Sequence, residues 1–149
     1  EKVKRDEIMR EKTTDDLTQE LMEQADLDRY IIENEAYFAE TDLTSVLTRL
    51  YKKCGLSKAE LARRAEMSEV YLYQVFSGRR RPSRDRLLCL CIGLESELEE
   101  AQLLLKRMGY APIYPKLKRD AIISHGLLHR TPLAEINDKL FRENEKTLF

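Results

Sequence analysis

From Thr41 to Gly109 the apolar residues recur at helical spacing, and nearly every run is bracketed by a capping residue and a left-handed stop. Leu43, Val46, Leu47, Leu50 and Cys54 form one such stripe, closed by Gly55. Ser57-Lys-Ala-Glu60 has the form of a capping box, in which serine and glutamate each satisfy the other's backbone N–H. It opens a short helix to Ala65 or Glu66. Ser68 caps the next, Glu69–Ser77, which Gly78 closes. After Arg79-Arg80-Arg81, Pro82 and Ser83 restart a helix that ends near Gly93. Ser96-Glu-Leu-Glu99 reads as another capping box, for a helix ending at Met108 with Gly109 as its stop. No alternating strand pattern of useful length appears, and five Gly and four Pro are too few for a turn-rich sandwich or barrel. The fold class that follows is all-α.

The flanks continue the theme. Residues 1–12 are charged with few apolar positions and are expected to fray. Thr13 or Thr14 caps a helix to Gln24, with Leu17, Leu21 and Met22 on one face. A second acidic helix, from about Leu27 to Ala39, offers Tyr30, Ile31, Tyr37 and Phe38. Pro112 and Pro115 keep 111–115 out of a helix. Two helices near 116–127 and 132–143 close the chain, the second with Thr131 as cap and Pro132 in its first turn, and 144–149 are expected to fray. The expected organisation is an acidic helical arm over 1–40, a central domain over 41–94 and a helical extension over 95–149. That extension either folds back on the centre, which the short Pro112/Pro115 linker favours, or dimerises the protein.

Charge divides along the same lines. The net charge of −1 conceals 6 Lys+Arg against 14 Asp+Glu in residues 1–42, 11 against 4 in 43–94, and nine of each in 95–149. A basic centre beside an acidic arm suggests a polyanion-binding unit. The arm then packs against it, competes with its ligand or is solvated. No stretch approaches the ~18 consecutive apolar residues of a membrane span, and no charged leader with an apolar core is visible, so a cytoplasmic location is expected. Cys54, Cys89 and Cys91 are odd in number, lack Cys-x-x-Cys spacing and fall on apolar helical stripes, which suits buried thiols in a reducing compartment. No cofactor is implied.

Residues 57–77 are two short helices joined by a turn of about three residues, with Ala62 and Ala65 small where the helices would cross and Leu61, Leu72 and Val75 as shared apolar contact. Such a pair cannot bury its inner faces alone, so the helices at 42–54 and 83–93 must complete the core. The stretch Leu56–Leu94 resembles the lambda-repressor/Cro-type helix-turn-helix family, also called the XRE family. The resemblance rests on Leu56-Ser57, Glu60-Leu61-Ala62, Ser68, Leu72, Gly78 followed by basic residues, Pro82-Ser83 and the Leu87–Leu94 ladder. Glu66 departs from it, standing where many members carry Gly.

The resemblance implies a lambda-repressor-like helical bundle, a bacterial or phage origin and a partner in double-stranded DNA. It makes Ser68–Ser77 the recognition helix, with Glu69, Val70, Tyr73 and Gln74 facing bases in the major groove. Gln74 suits adenine, Glu69 a cytosine amino group and Val70 a thymine methyl. Ser57, Lys58, Ser68, Ser77, Arg79, Arg80 and Arg81 would then meet phosphates, which set register and affinity; helix N-termini at Ser57 and Ser68 favour those oxygens too. A dimer would set two recognition helices about 34 Å apart.

Other readings stand beside this one. The segment Val70–Phe76 is apolar and aromatic for a groove reader, so Tyr71, Tyr73 and Phe76 either pack inward or present a protein-binding face. An adaptor or signalling protein, controlled by phosphorylation at Thr13, Thr14, Thr41, Thr44 or Ser45, is the alternative, as is an antitoxin that adds a protein partner through a flanking helix. His125 and His129 sit four apart, but Gly126 interrupts their helix and no third ligand is placed to help, so no metal site is expected. Asp15-Asp16 and Glu95–Glu100 have no partnering base or nucleophile, and an enzyme is not expected.

Overall fold

In the computed structural model, which describes residues 12–35 and 43–148, every regular element among the described residues is a helix. The order is α1 (Thr14–Glu23), α2 (Leu27–Glu33), α3 (Leu43–Cys54), α4 (Lys58–Arg64), α5 (Glu69–Phe76), α6 (Arg84–Gly93), α7 (Leu98–Arg107), α8 (Lys118–Leu128) and α9 (Leu133–Arg142). The expected all-α class is what the chain adopts. The chain divides into two compact units, Glu1–Glu40 and Thr41–Phe149. Of the fraying expected over 1–12, residues 1–11 lie outside the described residues, as do Tyr37 and Phe38 of the second acidic helix, while Lys12 is held by Asn34 and Glu20. Within them α2 ends at Glu33, with Asn34 as its C-cap.

In the first unit, α1 and α2 pack on each other. Thr13 caps α1 in a closed box: the Asp16 N–H donates to Thr13 Oγ1 at 3.1 Å and the Thr13 N–H to the Asp16 carboxylate at 3.0 Å. Asn34 is buried and fully used, donating to Glu20 at 2.9 Å and the Tyr30 carbonyl at 3.0 Å while accepting from Lys12 at 2.8 Å. Lys12 also pairs with Glu20. Lys12 and then Asn34 hold the Glu20 carboxyl below its ordinary range.

The second unit is built around α6. Every residue from Leu87 to Gly93 is buried, so this helix has no wet side along most of its length and must be covered all round. α4, α7, α8 and α9 all pack on it, while α3 packs on α5 and α7. The helices of the 95–149 stretch therefore fold back on α6. Cys89 and Cys91 lie inside this core, where burial pushes both thiols up to about 12 and leaves them as small inert hydrophobes. Cys54 is half-buried, and all three are free.

Several expected details fall elsewhere. Ser57 does cap α4, accepting from the Glu60 N–H at 3.1 Å, but Glu60 does not reach back. Its carboxylate is taken by Arg63 at 2.5 Å and Arg64 at 3.1 Å, which hold it at about 2. Ser96 does not cap α7; it is buried and its hydroxyl donates to the Cys91 carbonyl at 3.2 Å, so Glu97 takes the N-cap, its N–H donating to Glu100 at 2.9 Å. Pro132, not Thr131, stands at the N-cap of α9. Gly126 does not interrupt α8: it is buried within the helix, and Ile136 of α9 fills the space a Cβ would need.

The tail does not fray through Leu148. That side chain has 0% exposure, its N–H donates to Asn137 Oδ1 at 2.7 Å and its carbonyl accepts from Asn137 at 3.3 Å. Arg119 holds the Lys146 and Thr147 carbonyls at 2.8 and 3.2 Å while gripping both Asp85 oxygens at 3.1 Å. An apolar anchor and an arginine fork outweigh the fraying expected from a charged end.

Glu66 adopts φ 53°, so the glycine-like conformation of the turn is kept by a residue that is strained in it. Glu66→Gly is expected to raise unfolding stability by about 1 kcal/mol, read by chemical denaturation. A loss of stability would show that the turn is not held in this conformation.

Candidate nucleic-acid interface

α4 and α5 meet across the turn Ala65–Met67. Ala62 and Ala65 are buried at the crossing, and Leu61, Leu72 and Val75 have no accessible surface. α6 supports the turn from behind, so closely that a Cβ on Gly93 would lie 3.2 Å from Ala65 Cβ. The N–H of Met67 closes α4 on the Ala62 carbonyl at 3.0 Å, and Ser68 Oγ accepts from the Tyr71 N–H at 3.1 Å to start α5.

With Leu72 and Val75 turned into the core, the other face of α5 points to solvent. Glu69 is exposed, Val70 is 67% and Tyr73 54% exposed, and Gln74 is half-buried. Among the described residues the side chains of Glu69 and Gln74 have no hydrogen-bond partner. The other aromatics of α5 are engaged. Phe76 is half-buried and meets Tyr51 edge-on, ring centroids 5.6 Å apart. Lys58 Nζ sits 3.8 Å from the Phe76 ring centre, with Tyr51 at 4.6 Å and Tyr73 at 5.4 Å, and desolvation there lowers its pKa. Lys58, expected as a phosphate contact, rests against the aromatic flank of α5. Ser57 and Ser68 are exposed caps, and the Ser77 hydroxyl donates back to the Gln74 carbonyl at 3.1 Å.

The three arginines after Gly78 differ from one another. Gly78 turns the chain at φ 78°, and the Arg79 and Arg80 N–H groups both donate to the Gln74 carbonyl, at 2.9 and 3.2 Å. Arg79 is exposed and, among the described residues, its side chain has no partner. The Arg80 guanidinium lies 5.4 Å from the Tyr71 ring, which Arg86 also approaches at 5.3 Å. Arg81 is committed to the body: it donates to the Met108 carbonyl and, at 3.3 Å, to the Tyr110 hydroxyl. That hydroxyl in turn donates to the Pro82 carbonyl at 2.5 Å.

Four other arginines of this unit are neutralised. Arg63 and Arg64 face Glu60, Arg84 pairs with buried Asp120 at 3.2 Å, and Arg119 pairs with Asp85. Arg79 and Arg80 face no carboxylate within ion-pair distance among the described residues. Positive charge is thus left uncompensated beside the outward face of α5.

Tyr71 and Tyr110 were not singled out by sequence as partners of the basic run, yet they position Arg80 and Arg81. Nothing local signals Tyr110, because its partners lie nearly thirty residues earlier in the chain. It is placed through the linker: Arg84 donates to the Ala111 and Pro112 carbonyls at 2.9 and 3.2 Å, the Tyr114 N–H donates to Asp120 at 2.8 Å, and the Gln102 amide pairs with both backbone groups of Ile113 at 2.8 Å. His125 and His129 are exposed, their rings 4.2 Å apart at the end of α8.

A family model described as a helix-turn-helix domain matches residues 42–104, and no curated protein and no solved structure matches the chain. The chain therefore carries a helix-turn-helix domain, and the match runs into α7, past the boundary expected at residue 94. Among the described residues no helix is long and apolar enough to cross a membrane.

Tyr110→Phe strands the Pro82 carbonyl and releases one arm of Arg81. It is expected to cost about 1 kcal/mol in chemical denaturation and to speed amide hydrogen exchange across Gly78–Arg81 more than in α6. Unchanged exchange there would remove Tyr110 as the support of the basic turn.

Proposed function

We propose that the chain is a DNA-binding transcriptional regulator that acts in the cytoplasm by binding rather than by catalysis, with α5 lying in the major groove. One observation carries the reading: the outward face of α5 presents two polar side chains, Glu69 and Gln74, that have no partner among the described residues, beside two arginines with no carboxylate partner among them. Gln74 pairs with an adenine edge through two hydrogen bonds, Glu69 accepts from a cytosine amino group, and Val70 and Tyr73 meet apolar base edges such as the thymine methyl. Arg79 and Arg80 hold the backbone on one side of the groove. Ser57, Ser68 and Lys58 flank it on the other. Ser77 and Arg81, whose polar groups are used internally, hold the end of α5 and the basic turn in place. The left-handed Glu66 supports the lambda-repressor/Cro-type reading, since the turn takes the conformation in which that family carries Gly. The inward packing of Phe76 and Tyr71 counts against an adaptor function for the aromatic helix.

Duplexes selected from a random pool test this. Affinity is expected to fall steeply with salt, and the Arg79/Arg80→Ala double variant to reduce the slope of log affinity against log salt by about 2. Gln74→Ala is expected to relax choice at one position by about 1–3 kcal/mol with little change in non-specific affinity. A wild-type chain that ignores duplex DNA at low salt and instead co-purifies with a protein would overturn the reading in favour of an adaptor or antitoxin.

A further inference from the structure

The basic turn borders a cavity of about 470 Å³, within the range of small-molecule sites. Leu43 and Met108 give it an apolar floor, with Thr44 beside them, and three arginines, Arg80, Arg81 and Arg107, stand around it. The charge there exceeds local need. α5 and α7 both end at this cavity, and two helix C-termini carry together about one negative charge. Three guanidinium groups overcompensate that by about two. Arg81 alone satisfies the Met108 carbonyl. Arg107 has no hydrogen-bond or ion-pair partner among the described residues, and Arg80 has only its contact with Tyr71. Uncompensated cations over an apolar floor suit a ligand with the opposite pattern, a short apolar body bearing an anionic head.

The structure assigns this cavity as a binding site for a small amphiphilic anion, a carboxylate or phosphate monoester, whose head is gripped by Arg80 and Arg107. Because Arg80 also belongs to the DNA surface proposed above, occupancy draws it from the phosphate backbone and weakens DNA binding. This second step rests on the DNA-binding reading; the site itself does not.

Calorimetric titration of the full chain tests the site, with octanoate and octyl phosphate as probes and with inorganic phosphate and octanol as head-only and body-only controls. Both amphiphiles are expected to bind at least 10-fold more tightly than either control, and a preference between them tells a carboxylate from a phosphate ligand. Arg107→Ala, which touches no part of the DNA surface, is expected to weaken them 10-fold or more while melting like wild type. Failure of both amphiphiles to bind, or equal binding by Arg107→Ala, would overturn the site whatever the chain does with DNA. Saturating octyl phosphate is expected to weaken DNA binding by wild type about 10-fold and by Arg107→Ala far less. DNA affinity that stays constant while calorimetry shows a full site would overturn the coupling. Absence of DNA binding without any probe would instead be a failure of the DNA reading.

Discussion

A helix buried on all sides has to be covered on all sides, and α6 imposes that requirement on the second unit. Its run from Leu87 to Gly93 offers no face to water, so α4, α7, α8 and α9 are all drawn to it. The helix-turn-helix pair is thereby held from behind, with Gly93 pressed against Ala65 at the turn. What is left outward on α5 is outward because Leu72 and Val75 must face inward. The same constraint explains why the C-terminal helices fold back. Detaching them would expose the far side of α6.

Electrostatics then sorts the arginines by task. Arg84 and Arg119, at or facing the start of α6, are bonded to Asp120 and Asp85 and tie the linker and the tail to the core. Arg63 and Arg64 are held by Glu60. Arg81 is spent on a helix C-terminus and a tyrosine hydroxyl. Arg79 and Arg80 differ from these, since they lie beside α5 with their charge unanswered among the described residues. A basic run is a weak sign of a polyanion site by itself. The pairing state of each member turns it into an argument.

Much of this was legible in the sequence, where local chemistry decides. Caps at Thr13, Ser57, Ser68 and Ser83 and left-handed stops at Gly55, Gly78 and Gly109 act within a few residues of themselves, and all appear where expected. Glu69, Val70, Tyr73 and Gln74, the base-facing set that the family resemblance implies, lie on α5 away from buried Leu72 and Val75. What was not legible depends on distant partners. Ser96 left its capping role for the Cys91 carbonyl, Glu60 chose arginines over its own cap, and Leu148 found a slot beside Asn137. Gly126 looked like a helix breaker because a sequence does not show Ile136 pressed against it. Lys58 and Arg81 looked alike as phosphate ligands, yet one rests on aromatic rings and the other on a backbone carbonyl.

Residue-resolved amide hydrogen exchange of the full chain, followed as duplex DNA is added, tests most directly whether the surface that α6 pushes outward is the one that meets DNA. The account predicts new protection at Ser68–Gln74 and at Gly78–Arg80, with the slow exchange of α6 unaltered. Protection that appears on α8 and α9 instead, or a loosening of α6 on binding, would contradict it.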